Sequence, residues 1–89
     1  MAKPVGKLLA GMRASPRAVR FVDALRVAEH YLGKPRTVGS HHVFKMPWPG
    51  DPRINLQNDG GKAKAYQVRQ LLAALEKLEL MREGSKDDG

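Results

Sequence analysis

The chain has 89 residues, room for one domain around a single small core. It has no cysteine, which excludes disulfides and thiolate metal sites and fits a reducing cytoplasm; no apolar run reaches the roughly 18 residues a transmembrane helix needs. Sixteen Lys and Arg against nine Asp and Glu give a net charge of +7, the balance of a chain that attracts polyanions.

The opening Met1–Lys7 lacks the apolar stretch of a signal peptide. In Lys7–Met12 the spacing of Leu8, Leu9 and Met12 predicts one helical turn that packs down. Ser15-Pro16 reads as a helix start, Ser capping and Pro at the first helical position, unless the chain stays extended as far as Arg20. Phe21, Leu25, Ala28 and Leu32 then recur at helical spacing, with Val22 widening the stripe and Arg20, Asp23, Arg26 and Glu29 on the wet side. Gly33 can take the left-handed conformation that ends a helix, and Pro35 prevents its continuation.

Three short strands follow. Arg36-Thr37-Val38 is the first, Gly39 marks a turn or bulge, and Val43-Phe44-Lys45-Met46 belongs to the second. Pro47-Trp48-Pro49-Gly50-Asp51-Pro52 is dense in turn formers and predicts a rigid hairpin connection. Arg53–Gln57 alternates strictly, with Ile54 and Leu56 on one face and Arg53, Asn55 and Gln57 on the other, and Asn58-Asp59-Gly60-Gly61 closes it as a loop. From about Ala65, Val68, Leu71, Leu72, Leu75 and Leu78 form a broad apolar helix face, with Gln67, Arg69, Gln70, Glu76 and Lys77 toward water. Residues 83–89 have no apolar anchor and read as a disordered tail, leaving residues 1–82 as the single domain.

This order predicts an α+β fold: a three-stranded antiparallel sheet with two helices packed on one face, its other face open to solvent or a ligand. The charge is uneven as well. Residues 1–75 carry four acids against thirteen Lys and Arg, so the folded body is more basic than the whole. A membrane surface is disfavoured, because no segment pairs a basic face with exposed Trp, Phe and Leu.

The stretch Gly39-Ser40-His41-His42 is an odd choice for joining two strands. His is the side chain able to act as acid and base near neutral pH, and with Lys and Arg around it the fitting substrate is a phosphodiester. Strand alternation sends His41 and Val43 to one face and His42 and Phe44 to the other. Adjacent strand residues point apart and no carboxylate pair lies near, so the two histidines do not form a metal site.

With Arg36 upstream, Val43-Phe44 after it and Gly61-Lys62-Ala63-Lys64 before the last helix, Gly39-Ser40-His41 resembles the HicA toxins over about residues 8–78. These are messenger-RNA interferases of toxin–antitoxin pairs. The resemblance implies an αβββα fold like a double-stranded-RNA-binding domain, a cytoplasmic endoribonuclease without cofactor or metal, and a HicB-type antitoxin as protein partner. It also implies that His41, directly after Gly-Ser, is catalytic, while His42 stands where the family accepts several residue types. One departure is plain: many members carry Pro-x-His at the end of the third strand, where this chain has Leu56-Gln57-Asn58-Asp59.

On this reading His41 is the general acid/base, Ser40 and the Gly39 amide orient phosphate or imidazole, and Arg36, Lys62 and Lys64 contact RNA phosphates. His42 is a packing or supporting residue. Trp48 and Tyr66 either stack on bases or cover the edge of the core. The alternatives are a non-catalytic RNA-binding module of the same fold and, more distantly, a structural domain with no nucleic-acid role.

Overall fold

The computed structural model describes residues 3–46, 48–50 and 52–87, without the side chains of 83–87. Its elements in chain order are α1 (Val5–Ala14), α2 (Phe21–Leu32), β1 (Arg36–Val38), β2 (His41–Lys45), β3 (Arg53–Asp59), β4 (Lys62–Ala63) and α3 (Ala65–Asp87). The strands form one antiparallel sheet in the order β1-β2-β3-β4. The α+β class therefore stands, with two corrections: the sheet has four strands rather than three, and the helices are three rather than two.

The additional strand comes from Gly60-Gly61. Both have positive φ (60° and 92°), the pairing a two-residue type I′ hairpin requires, and Asp59 sits opposite Lys62 across it. The Asn58 side-chain oxygen accepts the Gly61 N–H at 2.7 Å and fixes the turn. What composition suggests as a closing loop is thus a continued ladder. Its outer edge is covered in turn: Arg20 pairs with Lys62, Phe21 N–H donates to Gly61 O and Ala63 N–H to Val19 O, both at 3.0 Å. The opposite edge, β1, is three residues long and fully exposed, a short edge that offers little to a foreign strand.

Burial explains the helices. In α1, Leu8 and Met12 are buried with Val5 and Leu9 packed beside them, so the expected single turn extends to ten residues. Helix α2 starts only at Phe21, after an irregular Ser15–Arg20 segment, and ends where Gly33 takes φ 85° and donates to Glu29 O. Its buried stripe is Phe21, Ala24, Val27 and Ala28; Leu25 and Leu32 are only partly covered and Val22 is 55% exposed. The small alanines let α2 approach the sheet closely, which larger side chains in the stripe would prevent.

Helix α3 buries Val68, Leu71, Ala74 and Leu75 against Phe44, Ile54 and Leu56 of the inner sheet face and the α2 stripe. It runs through Asp87. Helices α2 and α3 pack on the sheet, and α1 packs on both. The connection between β2 and β3 is closed by Met46 N–H donating to Pro52 O at 3.2 Å; Pro47 and Asp51 of that turn lie outside the described residues.

Candidate active site on the open face of the sheet

Gly39 and Ser40 form the two-residue turn between β1 and β2. Val38 pairs with His41 across it, and Gly39 has φ 60°, the left-handed value this tight turn needs at its first position. The turn fixes the register, and register decides which imidazole faces where. His42 lies opposite Thr37 and Leu56 and turns inward, its ring 5.0 Å from that of Phe21. His41 lies opposite Val38 and Gln57 and is exposed on the outer face.

The open face can be read from the pairings. It carries Arg36 and Val38 from β1, His41, Val43 and Lys45 from β2, Arg53, Asn55, Gln57 and Asp59 from β3, and Lys62 from β4. Arg20 joins this row through its bridge to Lys62. Asp59 is the one acid among these residues. The face is therefore cationic and lies away from the helices, and His41 is exposed on it.

Arg36 is the diagonal neighbour of His41, about 7–8 Å away on a regular ladder. Lys62 is two strands across and two residues along, on the order of 12 Å by strand spacing. The register thus brings Arg36, His41 and Lys62 to one face. Lys64 follows β4 directly, half-buried, and its carbonyl receives the Gln67 and Val68 N–H groups of the first turn of α3. Ser40 is exposed in the turn beside His41.

The imidazole's hydrogen-bond partner is Asn55, not Ser40. Asn55 Nδ2 donates to His41 Nδ1 at 2.9 Å, and Asn55 Oδ1 lies 3.3 Å from the same nitrogen. Sequence reading puts Asn55 on the open face but does not pair it with His41. The signal is there only in hindsight of register: with His41 opposite Gln57, Asn55 becomes the diagonal neighbour. Arg20 is a second residue missed, because nothing local announces that the approach to α2 lines the sheet.

Two assignments to water or ligand change. Gln67 is buried, 1% exposed; its Oε1 accepts the Gln57 N–H at 2.8 Å and its Nε2 donates to the Tyr66 hydroxyl at 3.3 Å. Trp48 is half-buried against the core, with Lys77 Nζ 4.5 Å from its ring centroid, so it covers the core edge. Tyr66 is 54% exposed.

No family model matches the chain, and neither does any curated protein or solved structure. Among the described residues no three His, Asp or Glu side chains gather as a metal centre requires, and no helix is long and apolar enough to cross a membrane. A cleft of about 250 Å³ opens elsewhere, among the helices, lined by Leu9, Tyr31, Leu75 and Leu78 with Arg13, Glu79 and Arg82. An exposed sheet face with a titratable ring suits a polymer laid across it better than a small molecule, which needs enclosure.

Proposed function

We propose that the protein is a metal-independent endoribonuclease of the HicA toxin type, an mRNA interferase acting in the cytoplasm and restrained by a HicB-type antitoxin. On this reading α2, β1–β3 and α3 are the αβββα core of a double-stranded-RNA-binding-domain-like fold, to which α1 and β4 are additions. The observation that carries the reading is the exposure of His41 on a cationic sheet face, with Arg36 diagonal to it.

RNA brings its own nucleophile, the 2′-hydroxyl. The enzyme has to move a proton and stabilise the charge that develops on phosphorus. His41 performs the proton transfer, worth about 10²–10⁴-fold, or roughly 3–5 kcal/mol of barrier. Arg36, Lys62 and Lys64 bind phosphates, and the Gly39-Ser40 turn holds His41 at the strand end. Such an inventory supports slow cleavage, which is sufficient where cutting a fraction of messages halts growth.

The test is incubation of the purified protein with a labelled transcript, alongside induced expression with growth and RNA integrity followed together. Wild type is expected to yield fragments and arrest growth, and His41→Ala to lose about 10²–10⁴-fold in cleavage rate while still shifting the transcript in a gel. Full cutting by His41→Ala overturns the assignment. A mobility shift without fragments from wild type favours the second reading, a non-catalytic RNA-binding module, for which the exposed Tyr66 ring beside Lys64 offers a stacking platform.

A further inference from the structure

A strand favours β-branched and aromatic residues, and Asn is among the types it disfavours. Residue 55 sits mid-way along β3, opposite Val43 of β2 and short of the β4 pairing, on the face away from the core. Packing does not call for a carboxamide there. The Asn55 side chain is half-buried, and its amide meets the His41 ring.

The geometry of that meeting is specific. Both amide heavy atoms lie within reach of one ring nitrogen, Nδ2 at 2.9 Å and Oδ1 at 3.3 Å from Nδ1. A neutral imidazole has one donor and one acceptor nitrogen, and an imidazolium has two donors. A carboxamide can serve every one of these states: Nδ2 donates to a bare Nδ1, and a half-turn of the amide lets Oδ1 accept a protonated one. A carboxylate could only accept. A hydroxyl at position 55 would be too short to span the diagonal.

We infer that Asn55 is a positioning residue for His41, its carboxamide engaging Nδ1 so that Nε2 is the one ring atom that exchanges a proton with RNA. The inference rests on the ribonuclease reading of the site and adds to it a residue on a different strand. As base, Nε2 takes the 2′-hydroxyl proton while the 2′-oxygen bonds to phosphorus. As acid, the imidazolium Nε2–H gives its proton to the 5′-oxygen as the P–O5′ bond breaks. In both steps the second ring proton sits on Nδ1 and is held by Asn55 Oδ1. Without it the ring turns about χ2, and a misplacement of about 1 Å at a reacting atom costs on the order of 10²-fold.

The test has a spectroscopic arm that does not depend on cleavage. Nitrogen-15 spectra of the His41 ring at alkaline pH are expected to show the Nδ1–H tautomer in wild type, which leaves Nε2 bare, with Asn55 Oδ1 accepting from Nδ1 after the half-turn of the amide. Asn55→Asp, which can only accept, is expected to keep the Nδ1–H tautomer, and Asn55→Ala to leave an averaged ring. In the cleavage arm Asn55→Ala loses about 10- to 100-fold with unchanged gel-shift affinity, and Asn55→Asp recovers part of that loss. In a His41→Ala background, Asn55→Ala is expected to cost nothing further, because a residue acting through the imidazole has nothing left to position. Ring spectra that are the same in wild type, Asn55→Ala and Asn55→Asp overturn the inference, whatever the fate of the ribonuclease reading. Equal additional losses with and without His41 overturn it too. Full cleavage by His41→Ala, by contrast, removes His41 from the reaction and leaves the tautomer result to decide whether Asn55 holds the ring.

Discussion

His42 stands one residue from the proposed catalytic ring and faces the other way, against Phe21, with its Nδ1 buried and without a hydrogen-bond partner. A buried polar atom left unpaired costs about 1–3 kcal/mol, so this imidazole is a poor choice for packing alone. Replacing it by an apolar side chain of similar volume removes the orphan and keeps the contact with Phe21. His42→Leu is therefore expected to raise the urea midpoint, corresponding to about 1 kcal/mol, and to leave cleavage at the wild-type rate. A large loss of cleavage with intact stability would instead put His42 in the reaction. Gly39 is constrained differently: a Cβ there meets nothing within 4 Å, so only its φ of 60° resists substitution.

Among the elements, the join between β3 and α3 depends on one buried side chain. Strand β4 ends at Ala63, one position short of covering Gln57, and the Gln57 N–H would be left without a strand partner on that side. Gln67 reaches down from the first turn of α3 and supplies the acceptor. Gln67→Met keeps length and burial but removes the oxygen. It is expected to cost about 1–3 kcal/mol in urea unfolding and to speed exchange of the Gln57 amide well beyond that of its neighbours. Uniform exchange along β3 would show that the contact is incidental.

The same element shows where reading the chain succeeds and where it fails. Alternation in Arg53–Gln57 and around His41-His42 assigns faces correctly, because a strand's period of two is a local property. Gln67 fails the same kind of reading. A polar residue on a helix flank looks wet unless one knows that a backbone donor waits opposite it, and only the tertiary structure supplies that donor. The β4 ladder was legible in principle: Asp59-Gly60-Gly61-Lys62 has the composition of a two-residue hairpin, but the following strand is only two residues long and lacks its own alternation. The pairing of Asn55 with His41 needed the β2–β3 register, which the Pro-rich connection does not disclose.

At the scale of the molecule, charge and shape act together. The extents are 45 × 27 × 23 Å, and the long axis follows from α3, whose 23 residues span about 35 Å, more than the width of four strands. The acids gather toward the end of that helix: Glu76, Glu79 and Glu83 lie in it, and the sheet end is left basic. RNA binding should then fall steeply with salt. For a single strand the slope of log K against log salt is about −0.7 per neutralised phosphate. Lys62→Ala and Lys64→Ala are each expected to flatten it by about 0.7 and to weaken binding without changing the position of cuts. An unchanged slope in a salt titration would move the RNA off the β4 edge.

The chain has a single tryptophan, and it lies in the link between β2 and β3 with the Lys77 ammonium over its ring. Intrinsic fluorescence of this protein consequently watches one location: the seam where that link meets α3. Indole emission is sensitive to a cation at its face and to water at its edge, so lifting of the link would register optically before the helices melt. A ligand spread over the outer strands would leave the signal untouched unless it also pulled on that seam, which turns the lone indole into a built-in gauge of whether the two ends of the sheet move as one.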